Sequence, residues 1–306
     1  MTLSHAYFNI VNYGKKYGIS KAIRAILHYL YRFLKTKTMS SKNYVHVHGF
    51  KMSVLPNDPM GTSSELLIFN SHEPVSTKII SSKLKKGMTC LDIGGNIGYY
   101  VLLESKAIGP QGKIIAIEPS PINFECMKQN LSTLKIENVE SYNIAAGEKD
   151  GTANFLIYED SGNSCMVIPE GEKSKWPGKL ISVPIRKMDS FLEEKKIGKI
   201  DFLRMDVEGY EKKVIEGLNA TIRKYKPIIY LELHQFIVGQ DNTAKMLEDL
   251  KNEGYEITTY VPRDIDTPLI GTLRDVKNYK IDQLLDMLKK NNLPSFVMLT
   301  LEYYSK

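Results

Sequence analysis

The stretch Thr89-Cys-Leu-Asp-Ile-Gly-Gly-Asn-Ile-Gly-Tyr-Tyr100 decides the fold of this chain. A short apolar strand runs into Asp92, then into a tight loop holding Gly94, Gly95, Asn96 and Gly98, and a helix is expected at once after it. Glycine has no Cβ, so such a strand–loop–helix corner lets the backbone approach a nucleotide-like ligand closely. The spacing is Asp-x-Gly-x-Asn-x-Gly. It does not fit the Gly-x-Gly-x-x-Gly dinucleotide fingerprint, because Asn96 and Tyr99 stand where glycines are needed.

Working outward, the segments after residue 88 alternate apolar strands with helical patterns. Strands are predicted at Thr89–Ile93, Lys113–Ile117, Val139–Asn143, Asp201–Met205, Ile228–Leu233, Glu256–Tyr260 and Phe296–Leu301. That alternation implies an α/β fold, Rossmann-like, with a largely parallel sheet covered on both faces. Gly109-Pro110 should stop the helix after the glycine loop, and Ser120-Pro121 should cap and start the next. A detour between the third and fourth strands holds two strand-like pieces, Ala153–Tyr158 and Leu180–Ile185. Between them, the Gly/Ser/Lys-rich run Asp160–Gly178 reads as a lid, with the single Trp176 as a candidate sugar-stacking residue or a core residue.

Before the glycine loop lies a different composition. Residues 18–36 repeat apolar side chains at Ile19, Ile23, Ile26, Leu27, Leu30 and Leu34, a helical period interleaved with basic residues. This amphipathic helix would pack on the neighbouring domain or lie on a membrane surface. Tyr44–His48 and Lys51–Leu55 around Gly49 read as a hairpin. We therefore divide the chain into an N-terminal extension, residues 1–75, and a main domain, residues 76–306.

Composition narrows the function classes. The chain is 42% hydrophobic and 25% charged, with a net charge of +6. Much of the basic excess lies in Lys15, Lys16, Lys21, Arg24, Arg32, Lys35 and Lys37. Cys90, Cys126 and Cys165 are far apart and form no Cys-x-x-Cys pair, so neither a disulfide framework nor a zinc site is indicated. There is no signal-like start and no apolar run near the ~18 residues of a membrane span, which points to a cytoplasmic protein.

The second strand ends in Glu118, twenty residues beyond Gly98. A carboxylate at that tip can accept hydrogen bonds from both hydroxyls of a ribose. With the glycine loop at its expected distance, this pairing indicates nucleoside binding and resembles the first motif of class I S-adenosylmethionine-dependent methyltransferases. On that reading Asp92 orients the loop and, through water, the methionine end of the cofactor, and Asn96 acts likewise. Asn143-Ile-Ala-Ala-Gly147, with Ala145, should lie near the adenine.

Two further strand ends carry titratable groups: Asp206 and Glu208 in Met-Asp-Val-Glu-Gly, and Glu232 and His234 in Leu-Glu-Leu-His. Period two puts Glu232 and His234 on one face, and Asp206 with Glu208 if their strand persists that far. Four such groups beside a nucleoside site are candidate catalytic residues. An alcohol acceptor must lose its proton as the new bond forms. By intrinsic pKa, His234 is the first candidate base, followed by Glu208 and Asp206. Asp206, Glu208 and Glu232 form an all-oxygen set that suits magnesium, but no spacing is diagnostic and no metal is predicted.

The chain resembles the FkbM family of S-adenosylmethionine-dependent methyltransferases over residues 44–260. The resemblance is carried by His72-Glu-Pro74, Asp92–Tyr100, Ile117-Glu-Pro119, Leu231-Glu-Leu-His234 and, most specifically, Ile200-Asp-Phe-Leu-Arg-Met-Asp-Val-Glu-Gly209. It implies a seven-stranded sheet with its last strand antiparallel, adds Glu73 to the cofactor-binding set, and implies O-methylation of hydroxyls on sugars or polyketides. The implied acceptor is a sugar, glycan or lipid-linked glycan, not DNA. Arg204 stands where the family often has lysine, and Gly95 where alanine is common. Two rivals remain at this stage. An RNA or other N-methyltransferase would carry an Asn/Asp-Pro-Pro-Tyr-like turn where Asp206-Val-Glu-Gly stands. A silent cofactor-binding scaffold would lack the strand-end acids.

Overall fold

A computed structural model describes residues 13–36, 43–55, 61–158, 165–168 and 178–305. Its centre is a seven-stranded sheet in the order β12-β13-β11-β10-β3-β4-β5. These strands are β3 (Thr89–Ile93), β4 (Lys113–Ile117), β5 (Val139–Tyr142), β10 (Phe202–Met205), β11 (Ile228–Leu233), β12 (Tyr255–Pro262) and β13 (Val297–Tyr303). The five from β5 to β11 are parallel, and β13 runs antiparallel to both its neighbours. Rossmann-like topology with an antiparallel last strand is thus present.

Strand alternation explains how the sheet is covered. Leu91, Ile93, Leu203, Met205, Ile229 and Leu231 face one core. That core is closed by α6 (Met188–Glu194), α7 (Glu211–Gly217), α8 (Asn219–Tyr225), the short α9 (Gln235–Val238), α10 (Gln240–Asn252) and α11 (Ile281–Lys289). Cys90, Ile114, Ala116, Phe202 and Tyr230 face the other. There α2 (Thr62–Phe69), α3 (Pro74–Lys83), α4 (Tyr99–Ile108) and α5 (Pro121–Thr133) supply the partners. Period two therefore sends neighbouring residues of one strand into different cores. The expected helix signals are present: Gly109 caps α4, and the Ser120 hydroxyl accepts from the Asn123 N–H at the start of α5.

The N-terminal elements join the second core. They are α1 (Ile19–Thr36) and the antiparallel hairpin β1 (Tyr44–Val47) and β2 (Phe50–Ser53). Val45, Val47 and Met52 lie in the same cluster as Leu102 and Ile114, and Asn130 on α5 exchanges hydrogen bonds with the backbone of Ser53. The 75/76 division falls inside α3.

The detour is larger than two strand pieces. β6 (Ala145–Gly147), β7 (Gly151–Tyr158), β8 (Cys165–Ile168) and β9 (Gly178–Lys187) form a second sheet, ordered β6-β9-β7-β8. Part of the expected lid is therefore strand β8, paired to β7. The rest of that run, including Trp176, lies outside the described residues. This sheet meets the main body through β6 and α7. A Cβ on Gly217 would stand 1.9 Å from the Gly147 carbonyl oxygen, so only glycine permits that approach.

Gly217→Ala should lower stability by about 2 kcal/mol or more, as overpacking does. Gly198→Ala, where a Cβ meets nothing within 4 Å, should stay within about 0.5 kcal/mol. Urea unfolding of both variants checks this, and equal midpoints would contradict the proposed contact.

Candidate functional site

The strand order reverses between β3 and β10, and a solvent-open cleft of about 570 Å³ lies at the carboxyl ends of β3, β4 and β10. This is the switch point at which open α/β sheets bind ligands. Its walls include Gly94, Asn96, Glu118, Ala145, Asp206 and Glu208, together with apolar Ile93, Ile117, Phe155 and Tyr210.

Glu118 is the built feature of this cleft. Its two carboxylate oxygens accept the Ser120 and Asn96 N–H groups, each at 2.8 Å. The Asn123 side chain also donates to it; an ionised carboxylate has about four acceptor positions, so some acceptor capacity remains for hydroxyl donors. Burial pushes its pKa up to about 7, against the pull of those N–H donors. Asn143 does not read a base edge with its amide. Its NH2 donates to the carbonyls of Glu118 and Pro119, at 2.9 and 3.1 Å, and so fastens the turn that carries the carboxylate.

The glycines are also required by packing. A Cβ on Gly94 would fall 1.9 Å from the Asp206 carbonyl oxygen, and those on Gly95 and Gly98 would press on Met127 at 3.1 Å. They let the loop lie flat against β10 and α5. Asn96 takes a left-handed backbone (φ 51°) and its side chain accepts the Ile97 N–H at 2.7 Å.

Asp92 is fully buried and lies outside the cleft wall. Its oxygen meets Arg204 Nη1 at 3.1 Å, while the same guanidinium donates to the Gly94 carbonyl and, through Nη2, to Asp206 at 3.2 Å. Asp92 thus orients the loop through Arg204 rather than facing a ligand. The Arg204 guanidinium also lies 4.2 Å from the centre of the Tyr100 ring.

A charge network continues from Asp206 along the ends of β10 and β11. β10 ends at Met205, so period two does not pair Asp206 with Glu208. A turn with Glu208 (φ 50°) and Gly209 (φ 99°) does so instead. His234 Nδ1 lies 2.6 Å from the fully buried Glu211, and its Nε2 lies 3.3 Å from Glu208 and 4.0 Å from Glu232. Burial opposes a charged imidazole here, but the Glu211 hydrogen bond, Glu208 and Glu232 outweigh it and raise the His234 pKa well above its ordinary value. Both ring nitrogens of His234 thus face carboxylates, an arrangement that favours the charged imidazole, so its intrinsic pKa alone does not describe it as a base.

Glu232 is pushed up to about 8 by burial, with Asp206 and Glu73 adding to it. Arg263, which the sequence did not single out, lies 3.3 Å from Glu232 and 3.1 Å from Glu73. Glu73, left-handed at φ 41°, is also bound by the Tyr100 hydroxyl at 2.7 Å. Burial would raise its pKa, yet Arg263 and His72 hold it well below the ordinary range. Glu73 consequently sits in this network and not on the cleft wall. Donor atoms of Asp206, Glu232 and His234 fall within 4.8 Å of one another, the one such group of metal-capable side chains among the described residues.

Phe155, Tyr210, Glu211 and Arg263 escaped sequence reasoning. Phe155 sits in a strand that was foreseen, but nothing in the strand pattern says it will face the cleft. Glu211 lies two residues beyond the Asp-Val-Glu-Gly run, and its role depends on a histidine 23 residues later.

Known proteins bear on this geometry. A family model described as the methyltransferase FkbM domain matches residues 92–257, more than half of the chain. "Methyltransferase 1" of Beauveria bassiana (strain ARSEF 2860) is 26% identical over 187 residues, 56% of this chain and 74% of that protein. "2-O-methyltransferase NoeI" of Sinorhizobium fredii (strain NBRC 101917 / NGR234) is 24% identical over 216 residues, 66% of this chain and 86% of that one. The solved methyltransferase FkbM from Methylobacillus flagellatus KT aligns with a TM-score of 0.44 and 18% identity, over 62% of this chain and 45% of that chain. The chain belongs to the FkbM family of S-adenosylmethionine-dependent methyltransferases.

Proposed function

We propose that this protein methylates a hydroxyl group of a sugar, glycan or hydroxylated natural product, with Glu208 taking the proton. The observation that carries this reading is one cleft with Glu118 on one side and the Asp206-Val-Glu208 turn on another. S-adenosylmethionine suits the first side, since Glu118 keeps acceptor positions for its ribose hydroxyls and apolar Ile93, Ile117 and Phe155 can enclose a base. When bound, this cofactor supplies a methyl group already activated by its sulfonium.

The chain's own residues then have to orient an alcohol and remove its proton. Glu208 is suited to both tasks. Its side chain is 39% exposed, it lines the cleft, and His234 fixes one carboxylate oxygen from behind. Its pKa is raised by desolvation and by Asp206 and Glu211, with His234 and Arg263 pulling the other way. Asp206 is held by Arg204 and positions the acceptor. Exposed Phe236 and the Phe296 ring, 5.3 Å from His234, adjoin the network and offer apolar faces for a sugar ring. The likeness to a 2-O-methyltransferase supports a hydroxyl as acceptor.

Three outcomes are expected. S-adenosylmethionine affinity should rise about tenfold between pH 6 and pH 8, because the Glu118 carboxyl, with its pKa near 7, must ionise to accept both hydroxyls. Below that pKa the proton occupies an acceptor position. Calorimetry should find this slope gone in Glu118→Gln, and an identical slope there would exclude the ribose role. Glu208→Gln should cut turnover by about 10²-fold or more, with cofactor affinity within about threefold, and wild-type turnover would remove it as the base. Whole-cell extract incubated with methyl-labelled cofactor should take label into glycan or small hydroxylated fractions, whereas label in RNA alone would overturn the acceptor class.

A further inference from the structure

α1 presents the wrong side to the protein for a helix that merely packs on its neighbour. Its small residues Ala22 and Ala25 are buried, and between them and Phe69 lies His28, stacked at 4.6 Å on that ring and hydrogen-bonded to the Pro268 carbonyl. Lys21 pairs with Asp275 on the same docking side. The large aliphatic residues point elsewhere. Ile19, Ile23, Leu27, Leu30 and Leu34 are each between 52% and 78% exposed. At 100° per residue they fall on a single arc of about 80°.

The surroundings of this stripe are basic. The segment Ile19–Thr36 contains no Asp or Glu. Arg24 and Lys35 fall on one flank, between the stripe and the docked side, and exposed Lys15 precedes it. Tyr29 and Tyr31 are also exposed, and such rings favour the boundary between apolar and polar phases. Among the described residues no helix is long and apolar enough to cross a membrane.

We propose that this face of α1 docks on the surface of an anionic phospholipid bilayer, lying in the plane of the interface. A contiguous aliphatic stripe enters the acyl boundary while flanking cations meet lipid phosphates. A second copy of the chain fits less well, because the same helix of a partner holds no Asp or Glu to pair with these cations. The inference does not depend on which acceptor the enzyme uses.

Co-sedimentation of the full chain with sucrose-loaded vesicles tests it. Binding should be at least about tenfold tighter to phosphatidylcholine containing one third phosphatidylglycerol than to phosphatidylcholine alone, and should weaken with salt. The double variant Ile23→Glu, Leu30→Glu should lose that binding about tenfold or more, with unchanged cofactor affinity and thermal unfolding. No pelleting of the wild type with anionic vesicles, or equal pelleting of the variant, overturns the proposal. So does a dimer seen by ultracentrifugation that the variant abolishes while vesicles bind neither. Should the variant misfold, hydrogen exchange of the wild type decides: anionic vesicles slow exchange in residues 19–36, and unchanged exchange there is a refutation.

Discussion

The site depends on one buried guanidinium. Arg204, on β10, is 4% exposed, and it holds Asp92 on β3 and the Gly94 carbonyl just beyond that strand while reaching Asp206 beyond the end of β10. These are the two adjacent strands between which the sheet order reverses. A charge taken out of water is tolerated only when paired and hydrogen-bonded, so the arginine and its acids fix one another's positions. The glycine loop is pinned at its start, and Asp206 is aimed at the cleft. Everything catalytic in the proposed mechanism stands on that spacing.

The network behind the cleft has a second function, which is to assign charge. Glu211 and Glu208 favour the charged form of His234, which in turn steadies Glu208. Arg263 ties Glu232 to Glu73. Three non-glycine residues of the site region, Glu73, Asn96 and Glu208, have left-handed backbones. Such conformations cost on the order of 1 kcal/mol each and persist where the surroundings over-determine them. Here the surroundings are salt bridges and hydrogen bonds converging on the same few atoms.

Much of this was legible in the sequence because the governing patterns are local. Strand periodicity, the Asp-x-Gly-x-Asn-x-Gly spacing, the Ser120-Pro121 cap and the position of Glu118 all act within one or two elements. What was not legible arises from pairs far apart in the chain. The Gly94, Gly95 and Gly98 contacts involve Asp206 and Met127, so a motif suited to ligand approach serves close packing as well. Intrinsic pKa alone does not describe His234, because Glu211 and Glu208 raise its pKa across a turn. The strand β6 is only three residues long and β8 lies within a polar run, so neither gave a periodic signal. The amphipathic pattern of α1 was visible, but which of its faces meets the protein was not.

The central claim is that the Glu118 side and the Asp206–Glu208 side enclose a single S-adenosyl nucleoside. A crystal structure with S-adenosylhomocysteine tests this most directly. The account predicts both ribose hydroxyls on the Glu118 carboxylate and the sulfur directed toward the Asp206–Glu208 turn. A ligand lying elsewhere, or a ribose held by other residues with Glu118 facing away, would contradict it.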